Sequence, residues 1–171
     1  MITNKDILGS RQLAGRVTRW HTWPMIRKPN NAEHSARVAT IYIEIFGLPR
    51  AEVLEYCLKH DWGELTAGDT PYGAKQLVPE LKIGSNDAEN IGLQSLGAWP
   101  MPTLTTQEWA RFKVCDLAEM WETAKVERNM GNLYADAPLR SCYDAMNEML
   151  MDRNRDNDRL SWLAWMRGHN G

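Results

Sequence analysis

The chain has 171 residues, of which 43% are hydrophobic and 25% are charged, and its formal net charge is −2 at pH 7. This length and balance indicate one globular domain that can build its own hydrophobic core. Binding to a long nucleic acid needs an excess of lysine and arginine that neutralises phosphates, so we do not expect DNA or RNA as a partner. A small phosphorylated ligand needs only a few cations and is compatible with this charge.

In the first half of the chain, glycines and prolines separate segments whose apolar residues have helical spacing. Gly47 and Pro49 match the preference for glycine after the end of a helix and proline at the start of the next. The predicted elements are, in chain order, a helix over residues 4–17, a loop over 19–31, a helix from about 32 to 46, a helix from 49 to about 60, and a loop over 63–73.

In the second half, Thr105 and Glu108 have the spacing of a capping box and predict the start of a long helix. The predicted elements are a short helix near 86–96, a turn over 99–102, a helix from 105 to about 129, a helix that begins at 138, and a last helix over about 156–166. No segment alternates as a strand does. We therefore expect an all-α fold and a single domain over residues 1–171.

The three cysteines are odd in number, and none forms a CxxC pair. This pattern argues against a disulfide framework and against a zinc ribbon. Cys57, Cys115 and Cys142 fall in helical segments, so we expect them in the core of a protein from a reducing compartment. The N-terminus lacks an apolar signal region, and no run approaches 18 apolar residues, so we expect a cytoplasmic protein without a membrane partner.

Two histidines and two aspartates form the candidate chemical centre. The pair His60-Asp61 alone indicates only a helix-end histidine with an aspartate cap. Its context changes this reading, because His34 lies near the start of the preceding helix and Asp116 lies within an apolar stretch of the long helix. A carboxylate in apolar surroundings is costly unless it is paired or binds a metal. Two imidazoles and two carboxylates from three helices would suit a divalent transition metal.

This arrangement resembles the H…HD…D signature of the HD-domain metal phosphohydrolase superfamily. The resemblance extends over about residues 16–125 and is similar in detail to the bacterial 5′-deoxynucleotidases and the small phage dATP triphosphohydrolases. Residues 130–171 add no motif. The resemblance implies an HD-domain helical bundle with a divalent metal. The matching blocks are Arg19-Trp20, Asn31-Ala32-Glu33-His34-Ser35, His60-Asp61-Trp62-Gly63-Glu64, then Thr66, Gly68, Asp69, Pro71 and Lys75, and finally Lys113 before Asp116.

The resemblance assigns the metal ligands and two acids. The metal would be Mn²⁺, Co²⁺, Fe²⁺ or Zn²⁺, among which the ligand types do not choose. Glu64 would position or deprotonate the attacking water, and Asp69 would be a second catalytic acid. The alternative for both acids is a solvated loop carboxylate. The implied metal ligands are His34, His60, Asp61 and Asp116.

The resemblance also assigns the substrate-binding residues. Arg19, Lys75 and Lys113 would bind phosphate oxygens. Lys113 lies one helical turn before Asp116 and so shares its face. Arg19 could instead be a surface residue or pair with Glu33, and Lys75 could be plain solvent-facing charge.

Trp20 would exclude a ribose by packing where a 2′-hydroxyl would lie, since burying an unpaired hydroxyl costs about 1–3 kcal/mol. The alternative is a core tryptophan. The segment after Trp20, with Trp23 and Ile26, would shape the base pocket without indicating a base.

The expected reaction is hydrolysis of a small-molecule deoxynucleotide, foremost dATP to deoxyadenosine and triphosphate. The alternatives are a 5′-deoxynucleotidase that acts on deoxynucleoside monophosphates and a non-catalytic nucleotide-sensing HD domain. The family and the tryptophan and methionine content predict a homo-oligomer. Trp162 and Trp165 would contact another subunit or pack on their own core. A chain of phage origin would act in the host cytoplasm.

Overall fold

The computed structural model describes residues 11–151 and 155–169. Within these ranges the chain is helical and contains no β-strand. The all-α prediction is confirmed for this part, and no helix in it is long and apolar enough to cross a membrane. In chain order the helices are α1 (Asn31–Phe46), α2 (Ala51–Lys59), α3 (Glu64–Ala67), α4 (Tyr72–Leu77), α5 (Pro79–Ser95), α6 (Thr106–Asn129), the 3-10 turn Leu133–Ala135, α7 (Asp136–Leu150) and α8 (Asp156–His169).

Reciprocal hydrogen bonds cap the starts of α6 and α1. The Thr105 hydroxyl accepts the N–H of Glu108 at 3.2 Å, and the Glu108 carboxylate accepts the N–H of Thr105 at 2.8 Å. The predicted capping box is therefore confirmed. Asn30 and Glu33 form the same kind of pair at 3.0 and 3.4 Å. This cap satisfies backbone N–H groups that the first turn of α1 would otherwise leave without a partner.

The segment after Asp61 is more helical than its glycine content predicts. The predicted loop over 63–73 contains α3 and the start of α4, so that prediction is wrong for these residues. Helix α5 begins at Pro79 and not near 86, because a proline suits the first turn of a helix. Both α3 and α4 pack against α5, and this tertiary contact stabilises helices whose own pattern is weak.

The helix predicted over 4–17 lies partly outside the described residues. In its described part only residues 11–14 are helical, after which the chain turns. The other predicted helices lie within about three residues of their predicted ends, which is ordinary scatter for helix termini.

The chain divides into two compact units, and the first contains the described residues up to Ser35 together with Leu58–Pro102. In this unit Thr18 and Asn30 form an antiparallel β-bridge, which holds together the two ends of the loop over residues 19–29. The division at Pro102 falls in the proline tract where the sequence predicts no domain boundary. The single domain over 1–171 stays a prediction.

The second unit comprises Ala36–Cys57 and the described residues from Thr103 onward, and it has an apolar core. Trp162 and Trp165 of α8 are 0% and 8% exposed, and the Trp165 indole donates to Glu44 at 3.0 Å. Both tryptophans thus pack on the core of their own unit, one of the two alternatives that the sequence left open.

A buried ion pair joins α8 to α6 in this unit. Asp158, with a side chain only 4% exposed, accepts three hydrogen bonds of 2.7–3.1 Å from the Arg111 guanidinium. Arg111 also lies over the Phe46 ring. The pair therefore fixes the orientation of α8 beside α6.

All three cysteines are buried and free, as the sequence predicts. Burial raises the pKa of Cys57 and Cys142 to about 12. These thiols are core residues, and the raised pKa disfavours the reactive thiolate form.

Candidate metal centre

Three of the four predicted ligands meet within the first unit. His34, which is fully buried in the first turn of α1, directs Nε2 towards Nε2 of His60 at 3.3 Å. His60 follows the end of α2. One carboxylate oxygen of Asp61 lies 3.4 Å from His34 Nε2 and 3.2 Å from His60 Nε2. Two ring nitrogens and a carboxylate oxygen thus point at one small volume, and this donor set fits a divalent transition metal.

Arg19 pairs with Asp61 and contributes to the charge state of that carboxyl group. Its guanidinium pairs with the same Asp61 oxygen and lies 3.8 Å from Glu64 Oε2. Burial alone would raise the pKa of Asp61, but the charges of His60 and Arg19 outweigh burial and hold it below its usual range. Asp61 is therefore a carboxylate ion, which is the form that binds a metal.

Glu64, the first residue of α3, is 7% exposed and lies beside the cluster. The Asn31 side-chain amide donates to its Oε2 at 2.9 Å. Burial, followed by the charge of Asp61, raises the pKa of Glu64 to about 8. A carboxyl group perturbed in this way can exchange a proton near neutral pH, as a general base must.

Asp69 contacts the segment that carries Trp20, which is predicted to exclude a ribose and is called the gate below. Its carboxylate accepts the backbone N–H of Trp20 at 3.0 Å and lies 3.8 Å from His21 Nδ1. Trp20 has a φ of +57°, a conformation that is uncommon for a bulky residue. The Trp20 ring meets Trp23 edge to face at a centroid distance of 6.4 Å. The hydrogen bond to Asp69 holds this strained backbone in place.

Lys75 makes an ion pair within the same unit. Its ammonium lies 3.1 Å from Glu89 of α5, and Ser85 donates to the same Glu89 oxygen at 2.8 Å. Glu89 thus balances part of the charge that the resemblance assigns to phosphate binding. Glu89 and Asn31 were not among the predicted site residues, and the only local signal was the position of Asn31 within the block that precedes His34.

The fourth predicted ligand lies in the second unit. Asp116 is 8% exposed in the middle of α6, and Lys113 Nζ lies 2.5 Å from its Oδ2. The predicted common face of these two residues is confirmed. An aspartate at this depth in an apolar helix is stabilised by such a charge.

No protein-family model matches the chain, and no curated protein matches it. Among solved structures, the chain is similar to the HD phosphohydrolase DatZ of cyanophage S-2L, solved with dA and one catalytic Zn²⁺ ion. The TM-score is 0.73 at 24% sequence identity, and the match covers 94% of this chain and 96% of that chain. The resemblance predicted from the sequence is thereby confirmed at the level of the fold: the chain has the fold of an HD-domain phosphohydrolase.

Proposed function

We propose that the chain is a metal-dependent hydrolase of 2′-deoxynucleoside 5′-phosphates. The observation that carries the proposal is the convergence of His34, His60 and Asp61 beside the buried carboxyl group of Glu64. A fold shared with a zinc-containing phosphohydrolase supports it.

In this proposal His34, His60, Asp61 and Asp116 hold the metal, which is zinc, manganese, cobalt or iron. A bound ion of this kind lowers the pKa of a coordinated water and polarises a phosphoryl oxygen. Arg19 keeps Asp61 ionised and so keeps this ligand ready.

Glu64 takes the proton of the attacking water, because it is the buried carboxyl group beside the ligands. Asp69 is the second acid and also anchors the gate through the Trp20 N–H. A pair of acids with different surroundings can divide the roles of proton acceptor and donor.

Arg19, Lys75 and Lys113 bind the phosphate oxygens of the substrate. Arg19 pairs with the proposed ligand Asp61, and Lys113 pairs with the proposed ligand Asp116, so each cation lies beside a carboxylate assigned to the metal. Trp20 excludes a 2′-hydroxyl, and the left-handed backbone at this residue supports a specialised role.

The finer proposal is that dATP is hydrolysed to deoxyadenosine and triphosphate. It is supported by the similar length of the phage phosphohydrolase, of which 96% is matched, and by the dA that this neighbour binds. The second candidate is a 5′-deoxynucleotidase. Metal-free protein refed with zinc, manganese, cobalt or iron and offered dATP, dAMP and ATP separates them by chromatography of the products. Triphosphate from dATP supports the first, and phosphate from dAMP with dATP untouched supports the second.

Two variants test the site itself. Glu64→Gln should lower kcat by about 10²- to 10⁴-fold, since it removes a general base. Asp116→Ala should abolish metal binding and activity. The matched control is Glu80→Gln, which changes an exposed glutamate of α5. Wild-type protein that binds metal and nucleotide but releases no product from any deoxynucleotide would favour a non-catalytic sensing domain.

A further inference from the structure

Asn31 is a buried polar residue at the first position of α1, with only 1% of its surface exposed. Its backbone N–H donates to Val17 at 3.0 Å. Its side-chain amide donates to Glu64 Oε2 at 2.9 Å and to the backbone carbonyl of Asp61 at 3.0 Å. One amide group therefore joins the predicted base to the turn that carries a predicted ligand.

The orientation of this amide follows from its partners. The Asp61 carbonyl can only accept, and the Asn31 amide donates to it and to the carboxylate oxygen of Glu64 together. The opposite orientation would direct Asn31 Oδ1 at the Asp61 carbonyl oxygen, which cannot donate a hydrogen bond. Oδ1 itself has no hydrogen-bond partner among the described residues, so the amide is held through its nitrogen alone.

The contacts of Glu64 are correspondingly one-sided. Within the described ranges, every hydrogen bond and ion pair of its side chain uses Oε2, from Asn31 at 2.9 Å and Arg19 at 3.8 Å. Oε1 is left to receive a proton. Because Oε2 is held by hydrogen bonding, the Glu64 carboxyl group has little orientational freedom, and less entropy is lost when Oε1 accepts a proton.

The geometry points to Asn31 as a positioning residue, whose amide holds Glu64 Oε2 so that Oε1 faces the attacking water. This inference rests on the proposed function, in which Glu64 is the base. Asn31 does not touch substrate in this role and acts only through Glu64.

The test compares Asn31→Ala and Asn31→Leu with Asn30→Ala. Leucine has the same number of side-chain heavy atoms and the same branching as asparagine but lacks the donor, so it carries the test if the alanine variant does not fold. Asn30 caps the same helix through Glu33 but does not contact Glu64. We expect kcat to fall about 10- to 100-fold in both Asn31 variants with KM nearly unchanged, and Asn30→Ala to lower the melting temperature while keeping kcat.

A double-mutant cycle distinguishes positioning from general structural damage. In a Glu64→Gln background, Asn31→Leu should lower kcat by less than twofold, because its effect passes through Glu64. The bound zinc content should stay unchanged. An equal loss of kcat in both backgrounds, a loss of zinc, or a wild-type kcat in Asn31→Leu would overturn the inference while leaving the proposed function standing. An inactive wild-type protein would overturn both.

Discussion

Gly92 of α5 lies against the start of α3, where the two helices approach closely. A Cβ at position 92 would lie 2.6 Å from the Thr66 hydroxyl, 2.7 Å from the Gly63 carbonyl oxygen and 3.1 Å from the Gly63 Cα. Thr66 can rotate, but the backbone of Gly63 cannot. We therefore expect Gly92→Ala to push α5 away from the turn that leads into Glu64.

The magnitude follows from the size of this overlap. The distance to the Gly63 carbonyl oxygen is about 0.7 Å shorter than ordinary contact at 3.4 Å. Overpacking of this kind costs about 1–3 kcal/mol, and alanine recovers about 0.5–1 kcal/mol over glycine in a helix. The net loss is therefore about 0–2.5 kcal/mol, and its central value of about 1 kcal/mol corresponds to a fall in melting temperature of about 2–4 °C for a chain of this size.

The matched control is Gly84→Ala on the same helix, where an added Cβ would meet no atom within 4 Å. Gly84→Ala should raise the free energy of unfolding by about 0.5–1 kcal/mol. Both variants would be compared by urea and thermal unfolding, and their kcat would be measured beside the wild type. A Gly92→Ala variant as stable as Gly84→Ala, with wild-type kcat, would refute this account of the contact.

Four other predictions test the site and its support. Trp20→Ala should raise the preference for ATP relative to dATP by about 10- to 100-fold in kcat/KM, since the unpaired hydroxyl no longer costs about 1–3 kcal/mol. Arg111→Met should lower the unfolding free energy by about 3–5 kcal/mol, because the buried Asp158 carboxylate loses its compensating charge. Asp158→Asn should lower it by only about 1–2 kcal/mol, because the Arg111 side chain is 29% exposed and can be hydrated. The hydrogen bond from Arg50 lowers the pKa of Glu108 to about 2. The ionised Glu108 carboxylate therefore stabilises the folded state fully above about pH 4.5, and this stabilisation is lost as the pH falls towards 2. The difference in unfolding free energy between the wild type and Glu108→Gln should shrink over that pH range. Chelation should abolish hydrolysis, and refeeding with a divalent metal should restore it.

Each of these predictions has an outcome that contradicts it. Unchanged discrimination in Trp20→Ala means that the ring is not the gate. An Arg111→Met variant no less stable than Asp158→Asn means that burial of the carboxylate does not determine the cost. A difference in unfolding free energy between the wild type and Glu108→Gln that stays constant down to pH 2 means that the Arg50–Glu108 ion pair does not stabilise the folded state. Hydrolysis that persists in metal-free protein excludes the proposed centre.

Local chemistry in the sequence was sufficient to predict the all-α fold and several helix ends. Thr105 caps α6 by contacting Glu108 three residues later, and Gly47 follows α1 with a φ of +81°. Such signals act within one turn of a helix and can be read from neighbouring residues. The weakly patterned α3, α4 and α5 were missed or shortened, because they are stabilised by packing on one another.

By itself the sequence determined the helical fold class and, through its motif blocks, singled out His34, His60 and Asp61 as proposed ligands, three side chains that the structure brings together. Only the tertiary structure decided how the surrounding groups are used. Asn31 lies 33 residues from Glu64, and Trp20 lies 49 residues from Asp69, so no local pattern links either pair. Burial likewise exists only after folding. It is burial that raises the pKa of Glu64 and strengthens the hydrogen bond from the Asn31 amide to the Glu64 carboxyl group.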